Sequence, residues 1–143
     1  MNYHSPSSFE EASAIAAGAT GITRFLAGGT DVLVQLRADM VTPDDLIDVK
    51  HIPGVKDIAR LDDGGWRIGA AVAGAEMTED AALCADWPGL TEGMDLIGST
   101  QVQGRATLVG NLCNGSPAAD GVPAMIAAGC TVSVTGPDGP REV

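Results

Sequence analysis

The sequence predicts an α+β fold, a small parallel βαβ layer followed by an incomplete antiparallel sheet with helices, and three observations predict it. Two short apolar runs, Ile22 to Leu26 and Leu46 to Val49, enclose a stretch with helical spacing. Two strands joined by a helix are expected to pair in parallel. Past Pro53 and Gly54 the pattern changes, and Ile58 to Leu61 and Trp66 to Ala70 flank an Asp63–Gly64 turn, with Trp66, Ile68 and Ala70 alternating onto one face of an antiparallel hairpin. The 19 glycines are scattered without a period, which indicates many tight connections rather than a collagen-like or disordered chain. A boundary between about Ile52 and Val55 divides the chain into a first layer, residues 1–54, and a second, residues 55–143.

In chain order, Ser7 with Glu10 or Ser8 with Glu11 offers a capping box, and Phe9, Ala12, Ile15, Ala16 and Ala19 recur at helical spacing, so a helix is expected from about Phe9 to Ala17. Gly18 and Gly21 end it, and Ile22 to Leu26 reads as a buried strand. Thr30 is placed to cap a helix carrying Val32, Leu33, Leu36 and Met40 on one face, with Asp31 complementing the dipole. In the second layer Thr78 is expected to cap a short helix through Cys84, and Pro88 to start another with Leu90, Met94 and Ile97 on a shared face. Ser99 to Ala106 is polar. Ser116 and Pro117 suit a helix start, but Pro123 cannot sit inside an undistorted helix, so Pro117 to Gly121 reads as one loose turn and Pro123 to Ala128 as the helix. A strand over Thr131 to Val134 and a turn over Gly136 to Pro140 follow. That strand's edge is left largely unpaired, which suggests a piece of a longer polypeptide.

Composition excludes some functions. A net charge of −11 argues against nucleic acid or an anionic membrane as partner, since both need a basic face. There is no run of about eighteen apolar residues and no leader-like start. Cys84, Cys113 and Cys130 are an odd, widely spaced set that fits a reducing cytoplasm better than a disulfide framework. Cys113 reads as a small buried thiol, because no basic residue is near it in sequence to stabilise a thiolate. His4 and His51 are far apart, so no metal or iron–sulfur site is expected within this chain.

The chemistry is carried by two turns. Leu26 to Asp31 reads LAGGTD, and Thr107 to Asp120 reads TLVGNLCNGSPAAD, a backbone-rich loop opening onto an apolar helix. Such turns hold anions because the first helical N–H groups lack partners and the dipole favours negative charge. Either turn alone is also an ordinary tight connection. Together, and with Tyr3, Pro6 and LIDVKHIP over Leu46 to Pro53, they resemble the FAD-binding subunit of the molybdenum hydroxylases, the family of xanthine dehydrogenases, aldehyde oxidoreductases and aerobic carbon monoxide dehydrogenases. The resemblance implies an FAD-binding domain of the vanillyl-alcohol-oxidase or para-cresol-methylhydroxylase type.

Residue by residue, the resemblance implies that Ala27, Gly28, Gly29, Thr30 and Asp31 bind the FAD pyrophosphate, and that Thr107, Gly110 and Asn111 close over it from the second layer. It puts Asn114 near the cofactor, Ile97 against it, and Asp120 where a carboxylate accepts from a cofactor hydroxyl. Each has an alternative: Asn114 a turn former, Ile97 core, Asp120 a helix-start charge. The sequence departs from the family at Val109-Gly110, where Gly-Gly is usual, and at Gln103-Gly104, where Arg-Asn is frequent. The implied function is that of a cytoplasmic oxidoreductase subunit: FAD takes electrons from an iron–sulfur subunit, which receives them from a large molybdopterin subunit, and passes them to NAD⁺ or another acceptor. No catalytic side chain is implied, since the chemistry belongs to the flavin. Two other readings stay open, a piece with an assembly role that binds no flavin and an unrelated nucleotide-binding α/β domain; against the latter, AGGTD lacks the third glycine of the dinucleotide fingerprint.

Overall fold

The computed structural model describes all residues, 1–143. Its first sheet has three short parallel strands, β1 (Asn2–His4), β2 (Thr23–Leu26) and β3 (Asp45–Asp48), with β3 in the centre. The expected strand, helix, strand unit is present, since β2 pairs in parallel with β3. A further strand, β1, which three residues are too few to signal by pattern, covers the other side of β3. Being central, β3 buries Leu46, Ile47 and Asp48. As an edge, β2 leaves Phe25 53% exposed, and the expectation that this whole run is buried fails for every residue but Leu26.

Helix α1 (Phe9–Gly18) starts at Ser8, whose side chain accepts from the Glu11 N–H, while the Glu11 carboxylate accepts from the Ser7 N–H and hydroxyl. Helix α2 (Val32–Arg37) is shorter than expected and stops before Met40, which is exposed. It also lacks a side-chain cap: the residue before it is Asp31, already in helical conformation, so the Thr30 hydroxyl does not serve as the cap.

The second half opens on the expected hairpin, β4 (Ile58–Arg60) and β5 (Trp66–Ile68), with Ile58 opposite Ile68 and Arg60 opposite Trp66. Six short helices follow: α3 (Gly74–Glu79), α4 (Ala81–Asp86), α5 (Pro88–Asp95), α6 (Thr100–Gln103), α7 (Leu108–Asn114) and α8 (Gly121–Ala127). The hairpin β6 (Ser133–Gly136) and β7 (Gly139–Glu142) ends the chain. The cap expected at Thr78 lies at Asp80, whose carboxylate accepts from the Ala82 and Leu83 N–H groups at 3.0 and 2.9 Å; the Thr78 hydroxyl instead donates to the Ala75 carbonyl. Pro123 sits within the first turn of α8, where no N–H partner is required, so the helix starts two residues earlier than expected. Ser116 shapes the preceding turn, accepting from the Ala118 N–H, and does not cap a helix.

The interior has two apolar clusters. Ala12, Ile47, Val49, Ile52, Val55 and Ala71 form one beside the parallel sheet; Val72, Met77, Leu83, Leu90, Met94, Leu108 and Met125 form the other among the helices. Neighbouring residues Ala71 and Val72 face different clusters. They stand at the turn linking β5 to α3, where the Val72 N–H donates to the Gly69 carbonyl at 3.1 Å, and so tie the two halves together. No helix is long and apolar enough to cross a membrane.

Candidate functional site

The loop after β2 meets the segment before α7. A Cβ on Gly28 would lie 1.9 Å from the Arg105 carbonyl oxygen and 3.2 Å from Ala106 Cα, so only glycine permits this approach of two backbones. The contact is fixed from the other side by Arg105 Nε, which donates to the Gly28 carbonyl at 3.1 Å. Gly29 is a glycine for another reason: its φ of +78° lies in the left-handed region. The segment is also tied to the start of α3, where the Gly74 N–H donates to the Ala106 carbonyl at 2.8 Å and Ala73 bridges Thr107.

Beside this junction lies an open cleft of about 190 Å³ lined by Ala27, Gly28, Ala71, Ala73 and Gly104, with charge from Lys50, Lys56, Arg105 and Glu76. The sequence reading missed these cations. Lys50 and Lys56 are the only lysines in the chain, and their location on one cleft needs the fold, because they and Arg105 are far apart in sequence. Lys50 is held by the buried Asp48, whose Oδ1 accepts from Nζ at 2.7 Å and from the Lys50 N–H at 3.0 Å; Oδ2 accepts from the Tyr3 hydroxyl. Burial pushes the Asp48 carboxyl up, but these three hydrogen bonds outweigh it and hold the group below the ordinary value. The Tyr3 hydroxyl is raised in turn, chiefly by its hydrogen bond to Asp48.

The stretch from Thr107 that reads as an open loop is helix α7. Its cap is Thr107, whose hydroxyl accepts from the Gly110 N–H at 2.9 Å, and the Asn111 N–H donates to the Thr107 carbonyl at 2.9 Å. Both N–H groups are engaged in the helix as folded, that of Gly110 by the cap and that of Asn111 by the first backbone bond. Gly110 is small because a Cβ would lie 2.7 Å from that hydroxyl. Asn111 Oδ1 accepts from the Gly121 N–H at 3.0 Å, locking α7 to α8. Two asparagines and two glycines made the stretch look like a loop; the cap and the left-handed Gly115 at its end make it a single short helix.

Of the other candidates, Asn114 and Asp120 are exposed on α7 and just before α8, and Ile97 is half-buried against the helical core. Thr30 is half-buried and Asp31 exposed, next to Gly28 and Gly29 but not lining the cleft. Cys113 is exposed, contrary to the expected buried thiol, because it falls on the outer side of α7. No group of histidine, cysteine and acidic side chains is arranged to hold a metal ion.

The whole chain, residues 1–143, matches the family described as the FAD binding domain in molybdopterin dehydrogenase. The chain belongs to this family. It is 31% identical over 143 residues to the carbon monoxide dehydrogenase medium chain of Hydrogenophaga pseudoflava, covering 100% of this chain and 50% of that one. It is 31% identical over 120 residues to the xanthine dehydrogenase FAD-binding subunit of Escherichia coli O157:H7, covering 84% and 41%. Among solved structures, carbon monoxide dehydrogenase from Hydrogenophaga pseudoflava superposes with a TM-score of 0.92 at 30% identity, over 100% of this chain and 50% of that chain. Quinoline 2-oxidoreductase from Pseudomonas putida 86 gives 0.91 at 25%, with the same coverage. The chain thus spans about half the length of the relatives it matches. FAD is the cofactor of the family, and the residues present fit its anionic part: a cleft walled by Ala27, Gly28 and Gly104, with three cations against one carboxylate.

Proposed function

We propose that this chain is the flavin-binding portion of a molybdopterin-dependent hydroxylase or dehydrogenase, acting in the cytoplasm with an iron–sulfur subunit and a large molybdopterin subunit. When bound, FAD supplies the redox chemistry, taking electrons from the iron–sulfur partner and passing them to NAD⁺ or another acceptor. The protein contributes position and electrostatics. The observation that carries the reading is the match of the whole chain to an FAD-binding domain, with the LAGGTD loop set against the segment leading into Thr107.

Within this reading residues 1–54 and 55–143 form the two walls of the cofactor site, each supplying one of the two turns. The Ala27 to Asp31 loop lies along the diphosphate. Thr107, Gly110 and Asn111 hold the opposite wall in shape through the cap and the α7–α8 lock, and Ile97, Asn114 and Asp120 approach the cofactor farther along. The test is release of colour. Purified protein, precipitated with acid, should yield yellow FAD in the supernatant, because the binding is non-covalent; His4 is held by Asp45 at 2.8 Å and His51 lies outside both turns. A colourless protein that binds no added FAD would sink the proposal. Co-purification with an iron–sulfur chain tests the partners.

A further inference from the structure

The chain has three asparagines, Asn2, Asn111 and Asn114, and they differ in what holds the side-chain amide. Asn2 donates from Nδ2 to Asp45 Oδ1 at 3.1 Å, and Asn111 Oδ1 accepts from the Gly121 N–H at 3.0 Å. Asn114, exposed at the last position of α7, makes no side-chain hydrogen bond. The residue that follows differs as well: Tyr3 and Leu112 stand after the first two, and Gly115 after the third. We propose that Asn114–Gly115 is a self-modification site, at which the folded protein loses the Asn114 amide and gains an aspartate or isoaspartate.

The Gly115 main-chain nitrogen attacks Cγ of Asn114 and gives up its proton. The Cγ–Nδ2 bond breaks, and the side-chain nitrogen leaves as ammonia, carrying that proton. A five-membered imide remains. Water, the one co-reactant, adds to either of its carbonyls and opens the ring, to aspartate through one and to isoaspartate through the other; nothing is oxidised or reduced. A Cβ on the attacking residue would crowd this approach, and glycine has none. The space around Gly115 is open too, since an added Cβ would meet nothing within 4 Å. One bond opposes the step: the Gly115 N–H donates to the Leu112 carbonyl at 3.1 Å, which keeps the nitrogen engaged in the last turn. That turn is the weak end of the helix. Helix α7 has seven residues, and its buried one, Leu108, lies at the far end, so fraying at Asn114 exposes no core. Opening of this end therefore sets the rate. The product carries one more negative charge, and isoaspartate also lengthens the main chain by a methylene ahead of the turn that leads to Asp120. The inference stands apart from the flavin reading, and its failure would leave that reading untouched.

The test incubates purified wild-type protein and Gly115→Ala in neutral buffer and follows both by peptide mapping with mass spectrometry, by isoaspartate detection and by ion exchange, with circular dichroism to check folding. In wild type the peptide containing Asn114 should show the nitrogen-for-oxygen mass gain first, with isoaspartate in it and a more acidic form growing on the ion exchanger. The peptides containing Asn2 and Asn111 should stay unchanged over the same period. Folded Gly115→Ala should lose the Asn114 amide much more slowly. Wild type that keeps this amide while still folded overturns the inference, because the bond to Leu112 would then be enough to protect it. Loss at Asn2 or Asn111 as fast as at Asn114 overturns it too, since the side-chain contacts would not be what selects the site. Loss from Gly115→Ala at the wild-type rate would remove the glycine from the argument and the proposal with it. Alanine at a φ of +64° is strained, so if that variant does not fold, the comparison of the three asparagines in wild type decides alone.

Discussion

A Cβ on Gly28 would collide with a main-chain carbonyl that cannot swing away, whereas one on Gly29 would meet the ends of Leu26 and Leu33 side chains, 2.8 and 2.9 Å off, and would be held at positive φ. The two adjacent glycines therefore fail differently. Gly28→Ala should force the two walls apart and cost about 1–3 kcal/mol, as overpacking does. Gly29→Ala should cost about 1–2 kcal/mol, the left-handed penalty, with the walls still joined. Urea unfolding measures both, and a Gly28→Ala protein as stable as wild type would mean that the junction at Arg105 is loose. Asp48 carries the pH dependence at this scale. Its carboxyl titrates below the unfolded value in the folded protein, so its contribution is present above about pH 4 and is lost as pH falls through the folded value. Asp45 adds in the same direction, held down by hydrogen bonds from His4 and then Asn2. Tyr3 works at the other end, since its raised hydroxyl contributes below about pH 10 and less as pH rises past the folded value. Asp48→Asn should lower stability at neutral pH by about 2 kcal/mol and flatten the acid limb of the stability curve. An unchanged acid limb would assign that limb to other carboxylates.

At the scale of elements, the sequence was readable where one short-range device decided the outcome. Helix α1 followed from Ser8 and Glu11, the β4–β5 hairpin from Asp63 and Gly64, and the parallel pairing of β2 with β3 from two apolar runs around a helix. It misled where a tertiary partner decided. Nothing local says that β2 is an edge, and only pairing with β3 reveals β1. The site divides in the same way. The LAGGTD loop was visible as a motif, but Lys50, Lys56 and Arg105 carry no motif and become a cluster only once the halves fold together. Helix α7 was misread because a run of glycine and asparagine has low helix propensity, while one hydroxyl cap and one side-chain lock were enough to form it. Thr107→Ala should therefore cost about 1 kcal/mol, and Thr107→Ser, which keeps the acceptor, much less. Chemical denaturation of the pair checks it; equal losses would point to the buried Thr107 methyl group, not the cap, as the source.

For the molecule as a whole, the cleft lies where residues from both halves meet, so a ligand there touches both at once. Ala27, Gly28 and Lys50 come from one side of the proposed boundary and Lys56, Ala71, Ala73, Gly104 and Arg105 from the other. A ligand that binds only the folded, closed arrangement stabilises by mass action, about 2.7 kcal/mol at a hundred times its dissociation constant. The protection should appear in both walls together, because opening either one removes the contact between Gly28 and Arg105. Hydrogen exchange with and without FAD should therefore slow in peptides covering residues 24–31 and 102–111 in step, with the β6–β7 hairpin unaffected. If the diphosphate sits in this cleft, ADP should give the same pattern and riboflavin should not. Protection confined to one wall would mean that FAD docks on that half alone and that the cleft between them is not where its diphosphate sits.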